Sequence, residues 1–309
     1  MDIAAVATYA MDVLMQVDRL PGEDGFAVVT QNTSMPGGSG TNVLVQAARL
    51  GAQCSFLGLV GDDTLGDAIL ASLRSEGIDT GAVCRKENGI SLHTDIVVDS
   101  EGKKFILLNM GDAFLNYDAS LLDTHAIQAA KIFYTDLLPV ASAREGLRQA
   151  KSAGLKTGFN MQLDLNGMEG FGATRACILE SLSDVDLFAP CRSGLYQLCG
   201  TEDLDACLAF LRPYFKGTLL VTLGSEGSVA YDAADRRFSQ PILPIHAVDT
   251  TGAGDAYMGG MLYAYLLRGM PLSEAMAFST VCSAVTCQSL GARSGPTLAQ
   301  VEAFLNRKL

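Results

Sequence analysis

The chain lacks any run of about 18 uncharged apolar residues, so no segment is expected to cross a membrane. Its apolar start, MDIAAVATYAMDVLMQV, has no early Lys or Arg and carries Asp2 and Asp12, and therefore reads as a first strand and not as a secretory segment. Positive charge is also scarce. Lys and Arg total 22 against 34 Asp and Glu, a formal net charge of −12 that would repel a phosphate backbone and argues against nucleic acid as a partner. A small phosphorylated ligand stays compatible, because helix dipoles and a bound Mg²⁺ can outweigh net charge locally. The eight cysteines contain no C-x-x-C pair, so reduced thiols and a cytoplasmic setting are expected. With only His93, His125 and His246, none at ligand-like spacing from the cysteines, zinc is not expected. There is no G-x-x-x-x-G-K-[ST], no G-x-G-x-x-G after the first strand, and no G-x-S-x-G. A P-loop, a dinucleotide fingerprint and a serine-hydrolase elbow are thereby set aside.

What is present is a large apolar fraction, 49%, in 309 residues, enough for one main domain spanning 1–309. Short β-branched runs (IAAVAT near 3, QCSFLGLV at 53, KIFYT at 131, LKTGF at 155, VDLFAP at 185, TLLVTLG at 218) alternate with helical patterns such as NVLVQAARLGA, DAILASLRSEG, REGLRQAKSAG and DLDACLAFLRPYF. That alternation predicts an α/β fold, a mostly parallel sheet covered by helices on both faces. Segments 13–31 and 90–109 break the rhythm with in-out alternation and glycine-containing turns, and predict a small sheet projecting from the main one. Such a sheet leaves a face to close over a ligand or to pair with a second subunit.

The most informative stretch is VDTTGAGDAYMGG, 248–260. ILPIHAVD before it reads as a strand and AYMGGMLYAYLLRG after it as a helix. Gly252, Ala253 and Gly254 would then turn into a helix N-terminus, where unpaired amides and the helix dipole favour an anion. Small residues are required there because larger side chains would cover the amides. Asp255 in the first turn is poorly placed beside an anion unless it accepts a proton from a substrate hydroxyl, the part of a general base in phosphoryl transfer. As a competing reading, it simply caps the helix. MPGGSGTN (35–42) precedes a second helix and offers close backbone approach plus the two-sided amide of Asn42. LVGDDTLGDAIL (59–70) adds a helix entry with carboxylates that also reads as capping.

Asp12, PGGSGTN, GLVGDD-x-x-G, VTLGSEG (221–227) and DTTGAGD (249–255), in this order, resemble the PfkB, or ribokinase-like, carbohydrate kinase family over almost the whole chain. The resemblance implies a three-layer αβα sandwich with a projecting β-sheet lid, and transfer of the γ-phosphoryl group of ATP, with Mg²⁺, to a hydroxymethyl group of a sugar. It implies Asp255 as base, Gly252 to Gly254 as anion hole, and Asp12, Gly38, Ser39 and Asn42 around the sugar, Asp12 from the first strand's end. Thr222, Gly224 and Gly227 would line the nucleotide site. Asp249 resembles the residue that helps coordinate K⁺ in cation-activated members, and the lid would form a homodimer contact.

Two departures stand out. The family's N-x-x-E motif is replaced by Cys191, Arg192, Ser193 and Gly194, which puts metal handling in question and makes Arg192 a candidate phosphate ligand. Ser39 stands where ribokinases tend to have Lys, leaving room for a substrate other than ribose. Asn160 is a further polar candidate, and Asp136 is either a substrate ligand or a solvated strand-end cap. Cys191, Cys199 and Cys207, eight residues apart, read as core packing. The expected activity is that of a sugar kinase; the alternatives are a nucleoside kinase of the same fold and a sugar-binding homologue without turnover.

Overall fold

The computed structural model describes residues 1–306. Its strands are β1 (Ile3–Val6), β2 (Ala10–Val17), β3 (Val29–Gly37), β4 (Cys54–Gly61), β5 (Val83–Lys86), β6 (His93–Val98), β7 (Lys104–Asn109), β8 (Ile132–Thr135), β9 (Lys156–Phe159), β10 (Leu187–Phe188), β11 (Thr218–Thr222), β12 (Ser228–Tyr231) and β13 (Arg237–Gln240). The main sheet runs β13-β12-β11-β10-β9-β8-β1-β4-β5 and the smaller one β3-β2-β6-β7. From β11 to β5 every pairing is parallel, and β12 and β13 add an antiparallel edge.

Burial explains the arrangement. β1, β4 and β8 are buried along their whole length, as continuous runs of Ile, Val, Ala, Phe and Leu require when helices cover both faces of a sheet. The helices answer with one apolar side each; the Thr64–Ser75 helix buries Ile69, Leu70 and Leu73 and is capped by Asp63, which accepts from the Gly66 amide at 2.7 Å. Asp63 also accepts from the Ser91 amide and hydroxyl at 2.8 and 2.7 Å, so GDD at 61–63 fastens the root of the small sheet.

The two expected hairpins are β2/β3 and β6/β7, joined by a parallel β2–β6 pairing that sets Asp12 against Thr94. Two expectations are corrected. Asp12 lies inside β2 of the small sheet, not at the end of β1, because the chain turns at Ala7–Tyr9 before reaching it. ILPIHAVD (242–249) is irregular, not a strand. Pro241 and Pro244 each remove a ladder donor, a loss that only edge strands, strand starts and bulges accommodate. Its apolar residues face a pocket instead.

Candidate active site

Two pockets meet at the carboxyl ends of β9, β10 and β11, the usual place for ligands on an open parallel sheet. The smaller, about 160 Å³, is lined by Ser39, Asn160, Gln162, Cys191, Gly254 and Asp255 among others. The larger, about 460 Å³, is lined by Thr222, Gly224, Gly227 and by Ile242, Leu243 and Ile245 of the segment with prolines. Thr222, Gly254 and Tyr257 border both, so Gly254 stands at the junction.

The turn before the Ala253–Met261 helix has the required backbone. Gly252 is left-handed, φ +76°, and a Cβ on it would lie 2.5 Å from the Ala292 carbonyl oxygen. A Cβ on Gly254 would meet nothing within 4 Å, so its smallness serves the junction and not the fold. The Ala253 amide donates to the Thr250 carbonyl at 3.2 Å. Gly254 and Asp255 follow it in the first turn of the helix, where amides have no preceding helical turn to accept them.

Asp255 is half-buried and held from both sides. Ser39 Oγ donates to Oδ1, and Asn42 Nδ2 donates to Oδ2 at 2.9 Å. Burial pushes its carboxyl above the ordinary value, while these two donors and the Arg293 charge pull it back. Asn42 is itself buried, with Oδ1 accepting from Arg293 Nε at 2.9 Å. The amide expected to contact sugar thus holds Asp255, leaving one N–H over. Gly38 opens the Ser39–Arg49 helix in a conformation, φ +83°, that a Cβ would jam against Tyr9 backbone atoms at 2.4 Å. Asp12 sits beside Gly37, where a Cβ would fall 2.5 Å from its Oδ2; burial raises its carboxyl against the pull of Thr94 and Arg293.

The remaining candidates separate. Asp249 accepts from the Thr251 amide and hydroxyl at 2.9 and 2.7 Å and from the Gly291 amide at 2.9 Å, which hold it below the usual carboxylate range. Arg192 pairs with Glu226 at 3.0 Å, both exposed, an ion pair of little energetic weight. Cys191 caps the Arg192–Cys199 helix and lines the smaller pocket, in contrast to the buried Cys207, so the core reading of the three cysteines fails at Cys191. Asp136 is neither a ligand nor a solvated cap. It is fully buried and accepts from the Thr8 amide and hydroxyl and from the Leu138 amide, and burial lifts its carboxyl to about 6.

Arg293 and Gln162 escaped the sequence reading. Gln162 carried a faint signal as the polar residue two after Asn160 at the end of β9; a single arginine in GARSG carried none.

A half-buried carboxylate in the first turn of a helix, lining the smaller of two adjoining pockets on an open α/β sheet, is an arrangement suited to an enzyme acting on a hydroxyl. The chain belongs to the PfkB family of carbohydrate kinases: the model of that family, pfkB family carbohydrate kinase, matches residues 2–298. Among curated relatives, fructokinase-1 of Oryza sativa is 31% identical, with 83% of this chain and 84% of that protein covered. An ATP-dependent ribose-1-phosphate kinase of Halopiger xanaduensis is 29% identical, with coverage of 96% and 95%. The structure of Arabidopsis thaliana ribokinase complexed with ribose and ATP superposes with a TM-score of 0.86 over 98% of both chains at 23% identity. The protein is an ATP-dependent sugar kinase.

Proposed function

We propose that the protein phosphorylates a hydroxymethyl group of a neutral monosaccharide, with the sugar in the smaller pocket and ATP in the larger. The observation that carries the reading is Asp255 at the rim of the smaller pocket, one residue from the Gly254 junction. Asp255 takes the hydroxyl proton as the oxygen attacks, and the leading helix amides at Gly254 and Asp255, with Gly252 shaping the turn, stabilise charge on the transferring group. Asp12 and the spare N–H of Asn42, outside the lining of the smaller pocket, are assigned to sugar hydroxyls, and Ser39, Asn160 and Gln162 line the pocket itself. Thr222, Gly224 and Gly227 approach the nucleotide, where the left-handed φ of Gly224, +62°, and Gly227, +92°, shape the loop.

Among the described residues no three His, Cys, Asp or Glu side chains converge as a metal cage. A Mg²⁺ arriving with ATP would be held by the nucleotide's phosphates and would supply charge neutralisation when bound. Asp249, kept ionised by Thr251 and Gly291, is assigned to a K⁺ beside the anion hole. The smaller pocket's size favours a monosaccharide over a nucleoside. The exposed side chains of β7 support a homodimer through the small sheet, and eight free thiols suit the cytoplasm.

The test is ADP release with fructose, ribose, other neutral sugars, ribose 1-phosphate, sugar acids and nucleosides, each with ATP, Mg²⁺ and either K⁺ or Na⁺. Turnover confined to neutral sugars is expected. Preference for a nucleoside or a phosphorylated sugar would overturn the substrate assignment.

A further inference from the structure

The loop 291–295 joins parts of the site that lie far apart in sequence. Its Gly291 amide holds Asp249, its Ala292 packs under Gly252, and Arg49 Nη1 clamps the carbonyls of Arg293 and Gly295 at 2.5 and 3.1 Å. Arg49 is in turn held by both carboxylate oxygens of Glu76, at 2.8 and 2.6 Å. Arg293 points from this braced loop toward the base. Its Nε donates to Asn42 Oδ1, Nη1 to Ser72 Oγ and Nη2 to the Gly37 carbonyl, all at 2.9 Å, and Nη2 also reaches Thr41 Oγ1 at 3.0 Å.

These contacts decide which way the Asn42 amide faces. A carboxamide has nearly the same shape in both orientations, with an acceptor at one end and donors at the other. A guanidinium only donates, so Asn42 Oδ1 must face Arg293 and Nδ2 must face Asp255. A donor beside a carboxyl favours its ionised form, and an acceptor there favours the protonated form.

We propose that Arg293 is a positioning residue for the base: by fixing the orientation of Asn42 it obliges that amide to donate to Asp255, and so keeps the carboxylate able to accept the substrate's proton. This rests on Asp255 being the base. The groups that bear on Asp255 are Arg293 from the loop, Tyr134 from β8, and Ser39 and Asn42 from the Ser39–Arg49 helix. Arg293 remains charged at neutral pH even though burial brings it down to about 10.

The experiment measures kcat and KM against pH for Arg293→Met, Arg293→Lys and Ser72→Ala, with thermal unfolding alongside. In Arg293→Met the acidic limb of kcat should move up by about one pH unit, as expected when the carboxyl loses both its obligate amide donor and a nearby opposite charge, with KM for ATP within about twofold of wild type. Arg293→Lys keeps the charge but not the planar fork and should move the limb less; Ser72→Ala should not move it. If Arg293→Met fails to fold, Arg293→Lys decides: an upward limb supports the proposal. Lower stability with the acidic limb unmoved overturns it and leaves Arg293 a structural brace. Near-normal turnover in Asp255→Asn would sink the base assignment itself, whatever the Arg293 variants do.

Discussion

At the scale of single residues, burial and hydrogen bonding pull Asp255 in opposite directions, and the balance sets a pH dependence. Its carboxyl is raised by burial, so activity that needs the ionised form is lost as pH falls through a value higher than that of an ordinary aspartate. The kcat profile should show that acidic limb, and Asp255→Asn should abolish it. Asp136 works on stability instead. Its folded-state value, about 6, exceeds its ordinary 3.8, so its contribution is fully present below the ordinary value and is lost as pH rises through about 6. Denaturant titrations at roughly pH 4 and 7.5 should show that loss in wild type and a smaller one in Asp136→Asn; equal losses would contradict it. The place of Asp255 in the first turn of a helix was legible because the small residues before it mark the turn. The Asn42 contact was not, since an amide beside a glycine turn has many possible partners, and Arg293 lies 251 positions from Asn42.

At the scale of elements, the turn before the Ala253–Met261 helix separates folding from function in adjacent glycines. Gly252→Ala forces a left-handed residue against the Ala292 carbonyl and should cost about 1 to 3 kcal/mol of stability, read by denaturant unfolding. Gly254→Ala meets no protein atom, so the fold should hold its stability while the added methyl occupies the junction and lowers kcat/KM by at least about tenfold, worth 1.4 kcal/mol. A stable Gly252→Ala, or an active Gly254→Ala, would contradict this division. The parallel strands were readable because burial on both faces demands unbroken apolar runs. The same logic misread 242–249, where the apolar residues line the larger pocket and the prolines were the overlooked sign.

At the scale of the molecule, the small sheet leaves β7 exposed along its length, with Phe105, Ile106, Leu107 and Leu108 each more than a third accessible. Alternation puts Phe105 and Leu107 on one face and Ile106 and Leu108 on the other, so one face can close over sugar while the other meets a partner. Sedimentation should show a dimer that Leu107→Asp weakens at least tenfold; a wild-type monomer at micromolar concentration would contradict the lid contact. The existence of this sheet was legible from its in-out pattern, but its register was not, because the β2–β6 pairing joins strands about 80 residues apart. The central claim is that Asp255 removes the proton from a bound sugar. Its most direct test is single-turnover phosphorylation of the preferred sugar by wild type and Asp255→Asn, with sugar and ATP binding measured in parallel. A rate lower by about 10² to 10⁴ with binding retained is predicted. Near-normal phosphorylation by the variant would contradict it.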